Sequence, residues 1–135
     1  DLLIARLPFP PPGLLRALKH GDVRTRARAA DDLGHLGVEA EPAVSALMAA
    51  LGDRAVRVRS SAGLALGNIG TTHAGVVSLL TKALKDRSED VHYAAALALS
   101  RIDLPEARDA FNRYVGKEAR RAIDASENGN KKASR

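Results

Sequence analysis

The chain has 135 residues, 45% of them apolar, with two Phe, two Tyr and no Trp, and it carries a net charge of +5. That length suits one domain, and a core drawn from Leu, Ala, Val and Ile suits closely packed helices better than a sheet, which favours β-branched and aromatic side chains. The absence of cysteine excludes a disulfide framework and a thiolate metal site, and no apolar run approaches the ~18 residues that a membrane span needs.

Reading from the N-terminus, residues 1–13 form an apolar, proline-rich lead-in: Leu2, Leu3, Ile4, Leu7 and Phe9 precede Pro10, Pro11 and Pro12. A repeat of 33 residues then begins. Leu14, Ala17, Leu18, Val23, Arg24, Arg26, Ala29, Leu33, Gly34 and Gly37 recur as Leu47, Ala50, Leu51, Val56, Arg57, Arg59, Ala62, Leu66, Gly67 and Gly70. A second shift of 33 recovers eleven more identities, from Leu80, Ala83, Leu84 and Asp86 to Leu97, Ala98, Leu99 and Ile102. Fixed periods of this size signal stacked repeats, each too small to bury its own apolar face.

Each period predicts two helices. In the second copy, Val44, Leu47, Met48 and Leu51 make an i, i+3, i+4, i+7 stripe, with Pro42 tolerated in the first turn behind Glu39 and Glu41. A turn follows at Gly52 and Asp53. The second helix runs from about Val56 to Ile69, and Gly70 is placed to end it in a left-handed cap. The repeats span about 14–37, 42–70 and 74–103, and Gly34, Gly67 and Ser100 sit late in the second helices, where a small residue lets a neighbouring backbone come close. A fourth unit over 105–124 reads as a shortened capping hairpin. Its first helix carries Ala107, Phe111, Tyr114 and Val115, and a brief partner follows near Lys117 to Asp124. The repeat domain thus covers 14–125, and 126–135 reads as a disordered basic tail. That tail holds Lys131, Lys132 and Arg135 against Glu127, leaving +3 for everything else, a modest excess that solubility explains.

The pattern Val58-Arg59-x-x-Ala62-x-x-x-Leu66-Gly67-x-Ile69-Gly70, echoed from Val91 to Ile102, resembles the short HEAT-like repeats, which are armadillo-like and of the type also found in phycobilin lyases. The resemblance covers roughly Leu14 to Val115. It implies an all-α fold: a right-handed α-solenoid of about three full hairpins plus the cap, with first helices on the convex side and second helices on the concave side. Arg26 and Arg59 occupy the family's arginine position, from which His92 departs. In such repeats this arginine pairs with a loop aspartate, here Asp53 or Asp86.

If Val58, Ala62, Leu66 and Ile69 point into the stack, the positions between them line the open groove. These are Ala27, Asp31 and His35 with Arg28 beside them, then Ser60, Leu64 and Asn68, then Tyr93, Leu97 and Arg101. An apolar centre of Leu64, Tyr93 and Leu97 with a polar rim is the composition of a protein-binding surface. The expected function is therefore a non-enzymatic scaffold for a protein or peptide ligand, without cofactor or metal, with self-association through an exposed terminal hairpin as a further partner mode. A reducing, cytoplasmic location fits the missing cysteine.

Two alternatives compete. Arg24, Arg26, Arg28, Arg57 and Arg59 cluster at the starts of second helices, where positive charge is unfavourable unless acids or phosphate compensate it, as a nucleic acid would. A bilin lyase or chaperone-like subunit follows from the repeat type alone. Catalytic signatures are otherwise missing. His20, His35, His73 and His92 lack His-x-x-x-His spacing and the His-Glu pairs of deoxyhypusine hydroxylase, and Asp31 and Asp32 are adjacent on a helix and so face apart.

Overall fold

The computed structural model describes residues 10–134, so most of the apolar lead-in, Leu2, Leu3, Ile4, Leu7 and Phe9, lies outside the described residues. The chain forms α1 (Pro12–His20), α2 (Val23–His35), a 3-10 segment (Gly37–Ala43), α3 (Val44–Ala50), α4 (Val56–Ile69), α5 (Val76–Ala83), α6 (Glu89–Arg101) and α7 (Pro105–Ala133). Among the described residues there is no strand. Helix starts follow local chemistry. Pro12 and Pro105 open α1 and α7, where a missing N–H costs nothing, and the Asp22 side chain caps α2 by accepting the Thr25 N–H at 2.8 Å. Gly70 ends α4 at φ +67°, the left-handed cap its position predicts.

The helices pair as α1–α2, α3–α4 and α5–α6, and these hairpins stack. α2 packs along α4 and α4 along α6 over most of their lengths, whereas α3 and α5 hardly meet. The reason lies in side-chain size. A methyl group at Gly34 would stand 2.9 Å from Ala65 Cα, and one at Gly67 would stand 2.6 Å from Ala98 Cα, where ordinary carbon contacts are ~3.5–4.0 Å. Second helices therefore approach backbone to backbone. The larger residues fill the space between the two helical layers: Leu33, Leu47, Leu66, Leu80 and Leu99, with Val44, Val58, Val76 and Val91, are all fully buried.

Arginine and aspartate tie the stack along one edge. Arg26 donates through Nε and a terminal nitrogen to the two carboxylate oxygens of Asp53, both at 2.9 Å, and through its other nitrogen to the Gly21 carbonyl. Arg59 repeats this on Asp86 at 2.9 and 3.1 Å and on the Asp53 carbonyl at 2.9 Å. Each aspartate also shapes its own turn by accepting a backbone N–H two residues on, from Ala55 and from Ser88. The Arg26 bond holds the Asp53 carboxyl below the usual carboxylate range, and the Arg59 bond does the same for Asp86, against the opposing pull of burial. The ladder stops at His92, whose ring meets the Asp86 carbonyl instead.

Two segments differ from the sequence-based expectation. Pro42 lies inside the 3-10 segment rather than in the first turn of α3, which begins only at Val44. The tighter 3-10 winding tolerates the missing N–H there. The expected fourth hairpin and disordered tail are instead one continuous 29-residue helix, α7. Matching buried Ala107 and half-buried Phe111 to Val76 and Leu80 of α5 gives an offset of 31 residues, which sets Lys117 where Asp86 closes the preceding turn. A lysine has no oxygen to accept the turn's N–H groups or an arginine, so nothing bends the helix. Glu118 and Arg121 then support it with a 2.9 Å ion pair one turn apart.

Candidate functional site

The close packing of α2, α4 and α6 leaves one line of each helix facing outward. On α4 this line is Arg57, Ser60, Leu64 and Asn68; on α6 it is Asp90, Tyr93, Leu97 and Arg101; on α2 it is Arg24, Arg28, Asp31 and His35. Arg101 donates to the Asn68 carbonyl oxygen, which shows directly that residues 33 apart in sequence are side by side in space. Leu64 and Leu97, also 33 apart, are both half-buried, and neither belongs to the core or packs against it. Tyr93 is 67% exposed. The Ser60 hydroxyl donates to the Arg57 carbonyl at 3.1 Å and so is held against its own helix. Arg28, His35, Asn68 and Arg101 are exposed and Asp31 is half-buried, so polar groups flank the leucines.

Ala27 corrects the expected groove lining, because it is fully buried rather than open. Its position faces the next second helix, where α4 covers it. Ser100 departs in the opposite sense from Gly34 and Gly67, since among the described residues no further second helix meets it: it is exposed, with its hydroxyl donating to the Leu97 carbonyl at 2.6 Å.

The arginine cluster splits into two kinds. Arg26 and Arg59 are bound up in the aspartate ladder, while Arg24, Arg28 and Arg57 remain exposed. Acids thus compensate the two arginines that the family pattern singles out, as the resemblance implied. Among the described residues, no group of three or more His, Cys, Asp or Glu side chains is arranged to hold a metal ion. Among the described residues, no helix is long and apolar enough to cross a membrane.

Sequence reasoning missed a groove of about 440 Å³ between the end of α5 and α7, lined by Leu84, Lys85, Ala110, Arg113, Tyr114, Lys117 and Arg121 among others. Burial pushes the Tyr114 hydroxyl above its ordinary pKa, with Glu118 adding to the effect. The signal was present in the i, i+4, i+7 spacing of Ala110, Tyr114 and Lys117, but it runs through the point where a turn was expected. Sequence reasoning also missed a tether between loops. Buried Thr71 donates to Glu41 at 2.7 Å and accepts the His73 N–H at 3.1 Å, fixing the entry to α5.

Stacked helical hairpins with an open second-helix face define an α-solenoid of the helical-repeat class. Residues 11–75 match the family model for HEAT repeats, so this stretch of the chain is similar to repeats that generally mediate protein–protein interaction. No curated protein matches the chain.

Proposed function

We propose that the protein is a non-enzymatic scaffold that holds a protein or peptide segment across α2, α4 and α6, centred on Leu64 and Leu97. The observation that carries this reading is the pair of half-buried leucines at the same register of consecutive repeats, both outside the core, beside an exposed tyrosine. A leucine that contributes little to the core and remains partly wet gains by covering apolar surface on a partner. The spacing of the two leucines would seat one apolar side chain of the ligand. Arg101, Asn68, Asp31 and His35 would orient its backbone and polar groups at the rim. A reducing compartment such as the cytoplasm suits the cysteine-free chain.

Peptides selected on the wild-type protein from a random display library provide the test. Leu64→Asp combined with Leu97→Asp should weaken their binding by ~30-fold or more, the scale of losing a central apolar contact, while the melting temperature stays nearly constant. Full binding by a folded double variant would remove the patch from consideration. A variant that no longer folds would instead make both leucines part of the stack.

A further inference from the structure

We infer that the groove between α5 and α7 binds an acidic peptide segment in extended form, its carboxylates on the cations of α7 and its intervening apolar side chains on the groove floor. This site lies away from the second-helix face and does not depend on the leucine pair there. The groove exists because the first helices diverge. α2, α4 and α6 meet along most of their lengths, whereas α5 and α7 touch only lightly and leave about 440 Å³ open between them. Ligand pockets have volumes of ~300–1,000 Å³, so the space is enough for a few side chains. Its floor is apolar, made by half-buried Leu84, buried Ala110 and the half-buried ring of Tyr114.

The charge around that floor selects the partner. Lys85, Arg113, Lys117 and Arg121 line the groove with Glu118 as the one acid among them. Glu118 is paired with Arg121 at 2.9 Å, but both are exposed, so the pair is weak and a ligand carboxylate can displace it. Lys85, Arg113 and Lys117 enter no ion pair among the described residues. Arg113 uses only Nε, which donates to the Asp109 carbonyl at 3.3 Å, and its terminal nitrogens are left to donate outward. Two fields oppose an anion. The C-terminal end of α5 carries about half a negative charge, and Glu89 is the weakest of the influences on the Tyr114 hydroxyl. Four cations outweigh both together with Glu118. Burial holds Tyr114 protonated, so its hydroxyl remains a donor for a ligand oxygen.

Spacing makes the fit specific. Arg113, Lys117 and Arg121 follow one another at i, i+4 and i+8, and so recur every ~6 Å along ~12 Å of α7. Alternate residues of an extended chain recur every ~6.6 Å on one side. Three acids at alternate positions therefore meet the three cations, while the residues between them turn towards Leu84 and the floor. A nucleic acid fits less well. Its phosphates would meet the same cations but leave the apolar floor uncovered, and Tyr114 is the one ring in the lining on which a base could stack.

The test uses the full chain and a short dye-labelled peptide of alternating glutamate and leucine, followed by fluorescence anisotropy. Its glutamine analogue and a labelled oligothymidylate serve as comparisons. The glutamate peptide should bind, and the glutamine analogue should bind ~10-fold more weakly or worse. Arg113→Gln with Lys117→Gln should weaken the glutamate peptide by ~10-fold, with the melting temperature unchanged because both side chains are exposed and unpaired. Glu118→Gln removes the competing carboxylate and should tighten binding by ~3-fold. If the double variant loses helix content, Glu118→Gln decides alone: tighter binding supports the inference, and unchanged or weaker binding overturns it. Leu64→Asp with Leu97→Asp, and Arg28→Gln with Arg57→Gln, alter the second-helix face and should leave this affinity as it is. Loss of binding in either of those pairs would put the acidic peptide on that face and overturn the inference. So would a wild type that does not bind the peptide or binds the glutamine analogue equally. Tighter binding of oligothymidylate, lost in the Arg113→Gln, Lys117→Gln variant, would assign the groove to nucleic acid instead.

Discussion

Replacing Gly67 by Ala sets two well-understood effects against each other, and the geometry decides the sign. Glycine inside a helix is less favourable than alanine by about 1 kcal/mol, so propensity alone makes Gly67→Ala stabilising. The added methyl, however, would stand 2.6 Å from Ala98 Cα and 3.0 Å from its Cβ. The first of these is backbone of a packed helix and can yield only if α6 shifts away from α4. Overpacking of this kind costs about 1–3 kcal/mol, and the rigid partner argues for the upper part of that range. The expected net loss is about 1–2 kcal/mol, a fall in melting temperature of roughly 3–10 °C for a domain of this size. Thermal unfolding followed by circular dichroism measures it. Gly63→Ala is the internal control, because its methyl would meet the Ala94 Cβ at 3.3 Å, which asks the neighbouring helix to give by only a few tenths of an ångström. That variant should lie within about 0.5 kcal/mol of the wild type, the propensity gain offsetting the contact. Adding Ala98→Gly to Gly67→Ala should recover only part of the loss, since the obstructing Cα remains. A Gly67→Ala protein that melts at or above the wild-type temperature would refute the claim that backbone contact holds the second helices together.

Two further expectations concern the arginine–aspartate ladder. Asp53 and Asp86 titrate below their ordinary values in the folded state, so their stabilisation is complete above the unfolded pKa of about 3.9 and is lost as pH falls through the lower folded values. Melting temperature should be nearly flat from pH 7 to about 5 and fall steeply below about pH 4, with Asp22, lowered by its Thr25 bonds, contributing in the same window. Asp53→Asn with Asp86→Asn should lower the melting temperature at pH 7 by roughly 5–10 °C and flatten the acid limb; equal acid slopes in the two proteins would contradict the assignment. Restoring the ladder with His92→Arg and Lys117→Asp should supply the missing turn anchor and bend α7 near Gly116. In hydrogen exchange, amides around 115–118 should lose protection while α6 gains it, and an unchanged pattern would mean that Lys117 is not what keeps α7 straight.

The hairpin repeat was legible in the chain because stacking imposes the same demands at each copy: Leu and Val between the layers, small residues where backbones meet, a left-handed cap at Gly70 and an aspartate to receive the arginine. Periodicity of 33 residues states the packing demands one-dimensionally, and Arg26–Asp53 and Arg59–Asp86 formed as the resemblance to HEAT-like repeats implies. What lay beyond it was whatever depends on having a neighbour. Ala27, Ser60 and Tyr93 occupy equivalent positions, yet one is buried, one half-buried and one exposed, because burial belongs to the place in the stack and not to the residue. The last helix shows the same limit. Ala107, Phe111 and Tyr114 announce a first helix, but whether the chain then turns depends on an acceptor for backbone and arginine donors, and at Lys117 tertiary structure has none to offer.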